Sequence, residues 1–329
     1  MNHPAKSLSS TYPIIDLRSL ARSNADAIKK LPDNVNYVRL SATHIIDQEA
    51  FADIPPWERL RLRALLIASS RKTAVMGTHG AAAILGIPFL GKAKGMEKFD
   101  IFLRGATRPT ARSRWPLGTT MRSGILPEKN IMFCDGIAIT APARTFVDLC
   151  RFYGPAEGLA FAEAAIQSQL LSTRGISADY FRLATADMPR LRGIPTAHLA
   201  LEHLEVGAQS VHETHARWLL VQAKIRGEAP QIKSIEIQKR INTSEGPKYP
   251  DILINGWCIV EIDGDSKYIY KTQHTLMAER RRERLLQRQG FTFLRFRPTE
   301  IGAGMVREII ANLERRSQPT STPVRNEAA

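Results

Sequence analysis

KYPDILINGWCIVEIDGDSKY, residues 248–268, decides how the second half of this 329-residue chain folds. Two short β-forming runs, Asp251–Ile254 and Trp257–Ile262, flank Asn255-Gly256. Asn-Gly between such runs predicts a hairpin, because both residues tolerate the positive φ of a tight turn. The runs carry acids where a plain core strand carries none: Asp251, Glu261 and Asp263. An unpaired carboxylate is costly to bury, so these acids need a cation, a partner or water. Hard oxygen ligands on adjacent strands suit Mg2+. Strand parity makes the point testable. A strict two-residue loop sets Asp251 opposite Val260 and turns Glu261 to the other face. An odd loop puts both acids on one face. If the acids act together, the odd loop or a bulge is expected.

Composition sets the frame around this stretch. Apolar residues make up 43% and charged residues 24%, as in a folded soluble protein, and the length allows two domains with real cores. No run approaches the roughly 18 apolar residues of a membrane span. The first residues, MNHPAKSLSSTYPIID, lack the apolar core of a signal peptide, and Cys134, Cys150 and Cys258 form no CxxC. A cytoplasmic protein with reduced cysteines is expected. Net charge is +14, from 46 Lys and Arg against 32 Asp and Glu. Arginine dominates the clusters, which points to an anionic partner read by geometry, nucleic acid first. The plainer alternative is a generally basic surface.

Working outward, the pattern predicts α/β organisation in the second half. Residues 1–12 and the Pro/Ser/Thr-rich tail 317–329 read as disordered. Ile14–Lys30 reads as one or two short helices, Val35–Leu40 as a strand, and Ala52–Pro56 as a linker-like break. A helix is expected at Trp57–Ser69. Residues 73–90 read as strand, turn and small-residue helix, with Thr78 as N-cap. Strands are expected at 98–104 and 130–139, separated by the basic segment Gly105–Gly124. Helices follow from Thr140 onward, with a domain boundary near 185–210. In the second half, Ser210 caps a helix with Glu213 at capping-box spacing. A strand over 231–241, the hairpin, a charged helix over about 273–289, a strand at Phe291–Phe296 and a last helix at 301–315 complete a mixed sheet with helices on its faces.

Several motifs occur together and in order: Ser210-x-x-Glu213-Thr-x-x-Arg217, Tyr249-Pro-Asp251, Ile259-Val-Glu-Ile-Asp-Gly264, Lys267-Tyr268, Glu279–Glu283, and Leu294-Arg-Phe296. They resemble the domain of unknown function related to the very-short-patch-repair endonucleases, within the PD-(D/E)xK nuclease fold. The resemblance covers about residues 208–302. It implies a restriction-endonuclease-like domain over 208–316. A second resemblance, carried by Ala74–Ala82, Gly86-Ile-Pro88 and Ile139–Leu149, is to the N-terminal half of abortive-infection antitoxin-like proteins of type IV toxin–antitoxin systems. It implies an antitoxin-like α+β domain over 56–190, preceded at 13–55 by a partial winged-helix-like segment.

The first resemblance implies Mg2+ (or Mn2+) held by Asp251 and Glu261, with Glu213 as an additional acid. It implies a metal-dependent DNA endonuclease in phage defence or DNA repair. The chain departs from the pattern where E-x-K is expected, because Glu261-Ile-Asp263 puts an acid in the lysine's place. Asp263 is then either a further metal ligand or a partner of Lys267, and Lys267 is the candidate replacement for the missing lysine. Glu213 also has a plain role as a helix cap. Arg280, Arg284 and Arg288 recur every four residues, with Leu285 and Ala278 toward the core; with Arg281 and Arg295 they are the candidate phosphate contacts. Two other readings stay open: a non-catalytic DNA-binding regulator or antitoxin, and a protein partner in a defence or toxin–antitoxin module.

Overall fold

The computed structural model describes residues 11–23, 31–32, 35–70, 73–90, 98–104, 111–112, 115, 117–124, 126–264 and 273–317. Contacts divide the chain into two compact units, Met1–Val206 and Gly207–Ala329. Both are mixed α/β, with mixed sheets and helices.

The first unit opens with β1 (Ile14–Asp16), α1 (Leu17–Ser23), β2 (Tyr37–Arg39), β3 (His44–Asp47), α2 (Gln48–Asp53) and α3 (Pro56–Ser69). The helix expected from Ile14 starts only at Leu17. Ile14 and Ile15 instead pair with Ile46 and Ile45 across the antiparallel sheet β1-β3-β2, where β-branched residues pack well. The break expected at Ala52–Pro56 is short, only Ile54 and Pro55 between α2 and α3, and it is packed rather than a linker. Asp47 caps α2 by accepting from the Ala50 N–H at 2.9 Å. Ile54 is buried with Leu40, Ile46, Leu62 and Leu66, so α3 belongs to the same core as the small sheet. Arg59 donates to the Ile54 and Ala52 carbonyls, tying the turn to the helix.

A second sheet combines β4 (Ala74–Met76), β5 (Phe99–Leu103), β6 (Thr119–Met121), β7 (Ile131–Cys134) and β8 (Ile137–Thr140) in the order β6-β5-β4-β8-β7. The β5–β6 and β4–β8 pairs are parallel and the others antiparallel. Between β4 and β5 runs α4 (Thr78–Leu85), capped by Gly77 rather than Thr78. Thr78 instead turns its hydroxyl to the buried Asp100 at 2.7 Å. Helices α5 (Pro142–Tyr153), α6 (Pro155–Gln167), α7 (Gln169–Ser172), α8 (Ala178–Ala186) and α9 (Ile194–Glu202) follow the sheet in sequence, and α5, α6, α8 and α9 share its core. Ala141, next to Thr140, is the N-cap of α5. The α5–α6 pair is close: a Cβ on Gly158 would lie 2.1 Å from Cys150 Sγ. Only glycine permits that approach without a shift.

The second unit runs α10 (Val211–Ile225), β9 (Ile235–Ile237), β10 (Ile241–Thr243), β11 (Gly246–Lys248), β12 (Ile252–Ile254), β13 (Cys258–Ile262), α11 (Gln273–Arg288), β14 (Thr292–Phe296) and α12 (Ala303–Ser317). The single strand expected over 231–241 is two strands, interrupted at Gln238, which sits at φ 45°. An unforeseen hairpin, β10–β11, follows it. The main sheet has the order β14-β13-β12-β9, with β13–β14 parallel and the other pairs antiparallel. One face buries Ile252, Ile254, Val260 and Ile262 against Leu220 of α10 and Ile309 and Leu313 of α12. The other buries Leu253 and Ile259 with Ile241 and Leu286 of α11. Each such side chain contributes roughly 1.5–3 kcal/mol on leaving water, so two-sided burial holds this sheet between its helices.

The turn at Asn255-Gly256 has the odd length. Ile254 pairs with Cys258, leaving residues 255–257 as the loop. Asn255 and Gly256 sit at φ 54° and 73°. Carried one residue further, this register sets Asp251 opposite Glu261.

Candidate active site

Asp251 sits just ahead of β12, where its side chain meets the backbone of the next strand. The Ile262 N–H donates to Asp251 Oδ2 at 2.8 Å. Glu261 and Asp263 follow at alternate positions along and beyond β13, on the same face as Ile259, because side chains in a strand alternate. Glu213 arrives from the first turn of α10. Its Oε1 accepts from the Ser210 hydroxyl at 2.9 Å and its Oε2 from the Gln209 N–H at 2.8 Å, while Ser210 Oγ accepts from the Glu213 N–H at 3.2 Å. Glu213 therefore caps its helix and contributes to the acid cluster at once.

Gln238 joins the two parts. Its side-chain amide reaches Glu213 Oε2 at 3.4 Å and Asp251 Oδ1 at 3.5 Å. The positive φ at Gln238 that interrupts the strand is the local feature that places it there. Three of the four expected acids are thereby brought together: Glu213, Asp251 and Glu261. Asp263 lies at the edge of the group, its N–H bonded to the Phe296 carbonyl at 3.0 Å. Lys267 lies outside the described residues.

Three of these acids are well screened from water: Glu213, Glu261 and Asp263 are each 9% exposed or less. Burial, and then the neighbouring charge of Asp251, push the Glu261 carboxyl up to about 7. The same two causes raise Glu213 above its ordinary range. Close like charges in a poorly solvated site resist ionising together, and among the described residues the acids here outnumber the arginines that meet them.

Arginines from α11 and β14 supply part of the balance. Arg282 Nη2 donates to Glu261 Oε1 at 2.9 Å and to the Tyr249 carbonyl at 3.1 Å. Arg295 Nη1 lies 3.6 Å from Asp263, and its Nη2 donates to Glu283 at 3.0 Å. Arg281 pairs with Glu245 at 2.5 Å. Arg280, Arg284 and Arg288 form the exposed stripe expected of α11. Leu286, however, rather than Leu285, is fully buried, and the Ala278 side chain lies outside those described. That offset turns Arg282, four residues earlier, onto the sheet side.

Arg282 and Gln238 are the site residues the sequence reading missed. For Arg282 a signal existed, since it is spaced i, i+4 from an apolar residue inside the arginine run. Gln238 carried none.

No protein-family model, curated protein or solved structure matches this chain.

Whether these residues suit a divalent cation is a question of donor chemistry. Among the described residues, no group of three His, Cys, Asp or Glu side chains is arranged to hold a metal ion. In kind the donors fit: hard carboxylate oxygens, two of them opposite one another across a hairpin, with surplus negative charge. One Glu261 oxygen, Oε1, is held by Arg282 at 2.9 Å. Arg282 Nε is itself buried and has no hydrogen-bond partner among the described residues. Among the described residues no helix is long and apolar enough to cross a membrane.

Proposed function

We propose that residues 208–316 form a nuclease-like unit of the PD-(D/E)xK type, with restriction-endonuclease-like topology, acting as a metal-dependent DNA endonuclease. The observation that carries this reading is the register of the β12–β13 hairpin. Its three-residue loop sets Asp251 and Glu261 on one face, where burial and mutual repulsion make them a site that gains from a cation. Asp251 and Glu261, with Glu213 and Asp263 beside them, would hold Mg2+ or Mn2+, whose chemistry there would be to polarise water and offset charge on a phosphodiester.

The chain's own residues do the rest. Ser210 and Gln238 orient Glu213 and Asp251 by donating to their oxygens. Arg282 donates from Nη2 to Glu261 Oε1 and so holds that carboxylate in place. The exposed Arg280, Arg284 and Arg288 stripe holds the DNA backbone, independent of sequence.

A second reading, a DNA-binding regulator or antitoxin without turnover, is favoured by one observation. Arg282 neutralises Glu261 directly, and Asp263 occupies the position where the nuclease pattern has lysine. In that reading the arginines balance the acids permanently, and only the arginine stripe meets DNA.

The test is incubation of the purified protein with supercoiled plasmid, with Mg2+ or Mn2+ and without, beside Asp251→Ala and Glu261→Ala. Metal-dependent nicking that both substitutions abolish is expected. Cleavage that survives both substitutions overturns the site. Salt-sensitive binding with no cleavage selects the regulator.

A further inference from the structure

The first unit contains a cavity of about 570 Å3 with a wholly cationic set of charged lining residues: Lys98, Arg112, Arg122, Arg151 and Arg192. These come from five separate places in the chain, namely the start of β5, the 111–123 segment before and after β6, the end of α5 and the turn before α9. Among the described residues no carboxylate lines it.

Two carboxylates stand behind the wall and fix its arginines. Asp100, fully buried, accepts from Arg122 Nε at 2.7 Å, and also from the hydroxyls of Thr78 and Tyr153 at 2.7 Å. Asp148, also fully buried, accepts from Arg151 Nη1 at 2.6 Å and Arg144 Nε at 2.7 Å. The Phe152 ring, which lines the cavity, lies 4.0 Å from the Arg122 guanidinium carbon and 4.8 Å from that of Arg151. Arg151 Nε donates to the Arg192 carbonyl. Gly193 follows at φ 84°, where a Cβ would come within 3.1 Å of Arg151 Cγ, so both conformation and space call for glycine. The arginines are thus held in place before any ligand arrives, while the cavity keeps a surplus of positive charge. Like charges gathered in one wall repel, and an anion among them relieves that cost.

We propose that this cavity binds a nucleoside di- or triphosphate. Its volume falls in the range of small-molecule sites, roughly 300–1,000 Å3. Five cations exceed what one phosphate engages, and guanidinium forks match phosphate oxygens two at a time. Trp115 and the arginine planes stacked on Phe152 offer flat surfaces to a base. The cations converge on one concavity, whereas the backbone of a nucleic acid strand needs them spread along a track, as on α11. The inference does not depend on the acid site of the second unit.

Isothermal titration of the full-length protein at physiological salt tests it, with ATP, GTP, inorganic tripolyphosphate, adenosine and a short single-stranded oligonucleotide as probes. A nucleoside triphosphate is expected to bind more tightly than tripolyphosphate, and adenosine to give no signal. The double variant Arg112→Gln/Arg192→Gln removes two exposed cations and leaves Asp100 and Asp148 paired. It is expected to weaken ATP binding by about tenfold or more, with an unchanged melting temperature. Asp251→Ala is expected to leave it unchanged. The proposal fails if no nucleotide binds, if the double variant binds as the wild type does, if tripolyphosphate binds as tightly as ATP, or if the oligonucleotide outbinds ATP through the same two arginines.

Discussion

Asp100 and Asp148 in the first unit and Glu261 and Asp251 in the second are all acids placed at or beneath a sheet, yet their surroundings differ. Asp148 meets two arginines within 2.7 Å, and Asp100 meets one arginine and two hydroxyls at that distance. The cations there outnumber the acids, and the surplus faces a cavity. In the second unit Ser210, Gln238 and backbone N–H groups donate to Glu213 and Asp251, while Arg282 is shared between Glu261 and a carbonyl. Among the described residues the acids there hold the surplus. A buried charge either meets its complement within the fold or leaves an imbalance for a ligand to complete. The two units leave imbalances of opposite sign.

The strongest way to break this contrast is to remove a matched acid. Asp148→Ala leaves Arg144, 1% exposed, without its closest counter-charge. A loss of about 3–5 kcal/mol is expected in urea unfolding, and a loss below about 1 kcal/mol shows that water or a neighbour takes over.

Glu261, where burial and Asp251 outweigh the help of Arg282, predicts a pH dependence. The Glu261 carboxyl is raised from 4.5 to about 7 in the folded chain. Between those values the native state keeps a proton that the unfolded state has released. Stability therefore falls as pH rises from 4.5 to 7, and levels off above. At about 1.4 kcal/mol per pH unit the loss is on the order of 3 kcal/mol. Glu261→Gln is expected to flatten this slope in denaturation curves measured across the range; an unaltered slope assigns it to another group. The raised Glu213 carboxyl contributes in the same direction.

Arg282→Met sharpens the point. With its arginine gone, ionised Glu261 is worse placed, and the protein is expected to lose about 1–3 kcal/mol at pH 8. Mn2+ should recover part of that loss in thermal melts at pH 8 and not at pH 5.5. Equal recovery at both pH values separates the metal effect from the acids.

The smallest effect on stability belongs to the α11 stripe. Arg280→Gln, Arg284→Gln and Arg288→Gln are each expected to change stability by no more than about 0.5 kcal/mol. An arginine that neutralises one phosphate of duplex DNA adds about 0.9 to the slope of log affinity against log salt, so each substitution should lower that slope by about 0.9. An unchanged slope removes this helix from the DNA-binding surface.

Much of the local structure was legible from residue order. The apolar runs around Asn255-Gly256 predict the hairpin, and Ser210 with Glu213 predicts the start of α10. The arginine run marks α11, and small residues mark α4. The misreadings have local physical causes. Ile14 and Ile15 pair in a strand because β3 lies beside them. Gln238 divides a strand by adopting positive φ, which its residue type does not announce. The core side of α11 is one position away from where the periodicity puts it, and that offset hides the inward turn of Arg282.

The sequence alone determined that acids are embedded in β-forming segments 251–263, that arginines crowd the following helix, and that the chain is strongly basic. It left open which face each acid takes. The three-residue loop decided that, because strand side chains alternate and one residue of register reverses every face. The cationic cavity is wholly a tertiary product. Residues from 98 to 192 converge there only once two sheet strands and two helix ends are packed, and the buried carboxylates that fix its arginines act across the fold rather than along the chain.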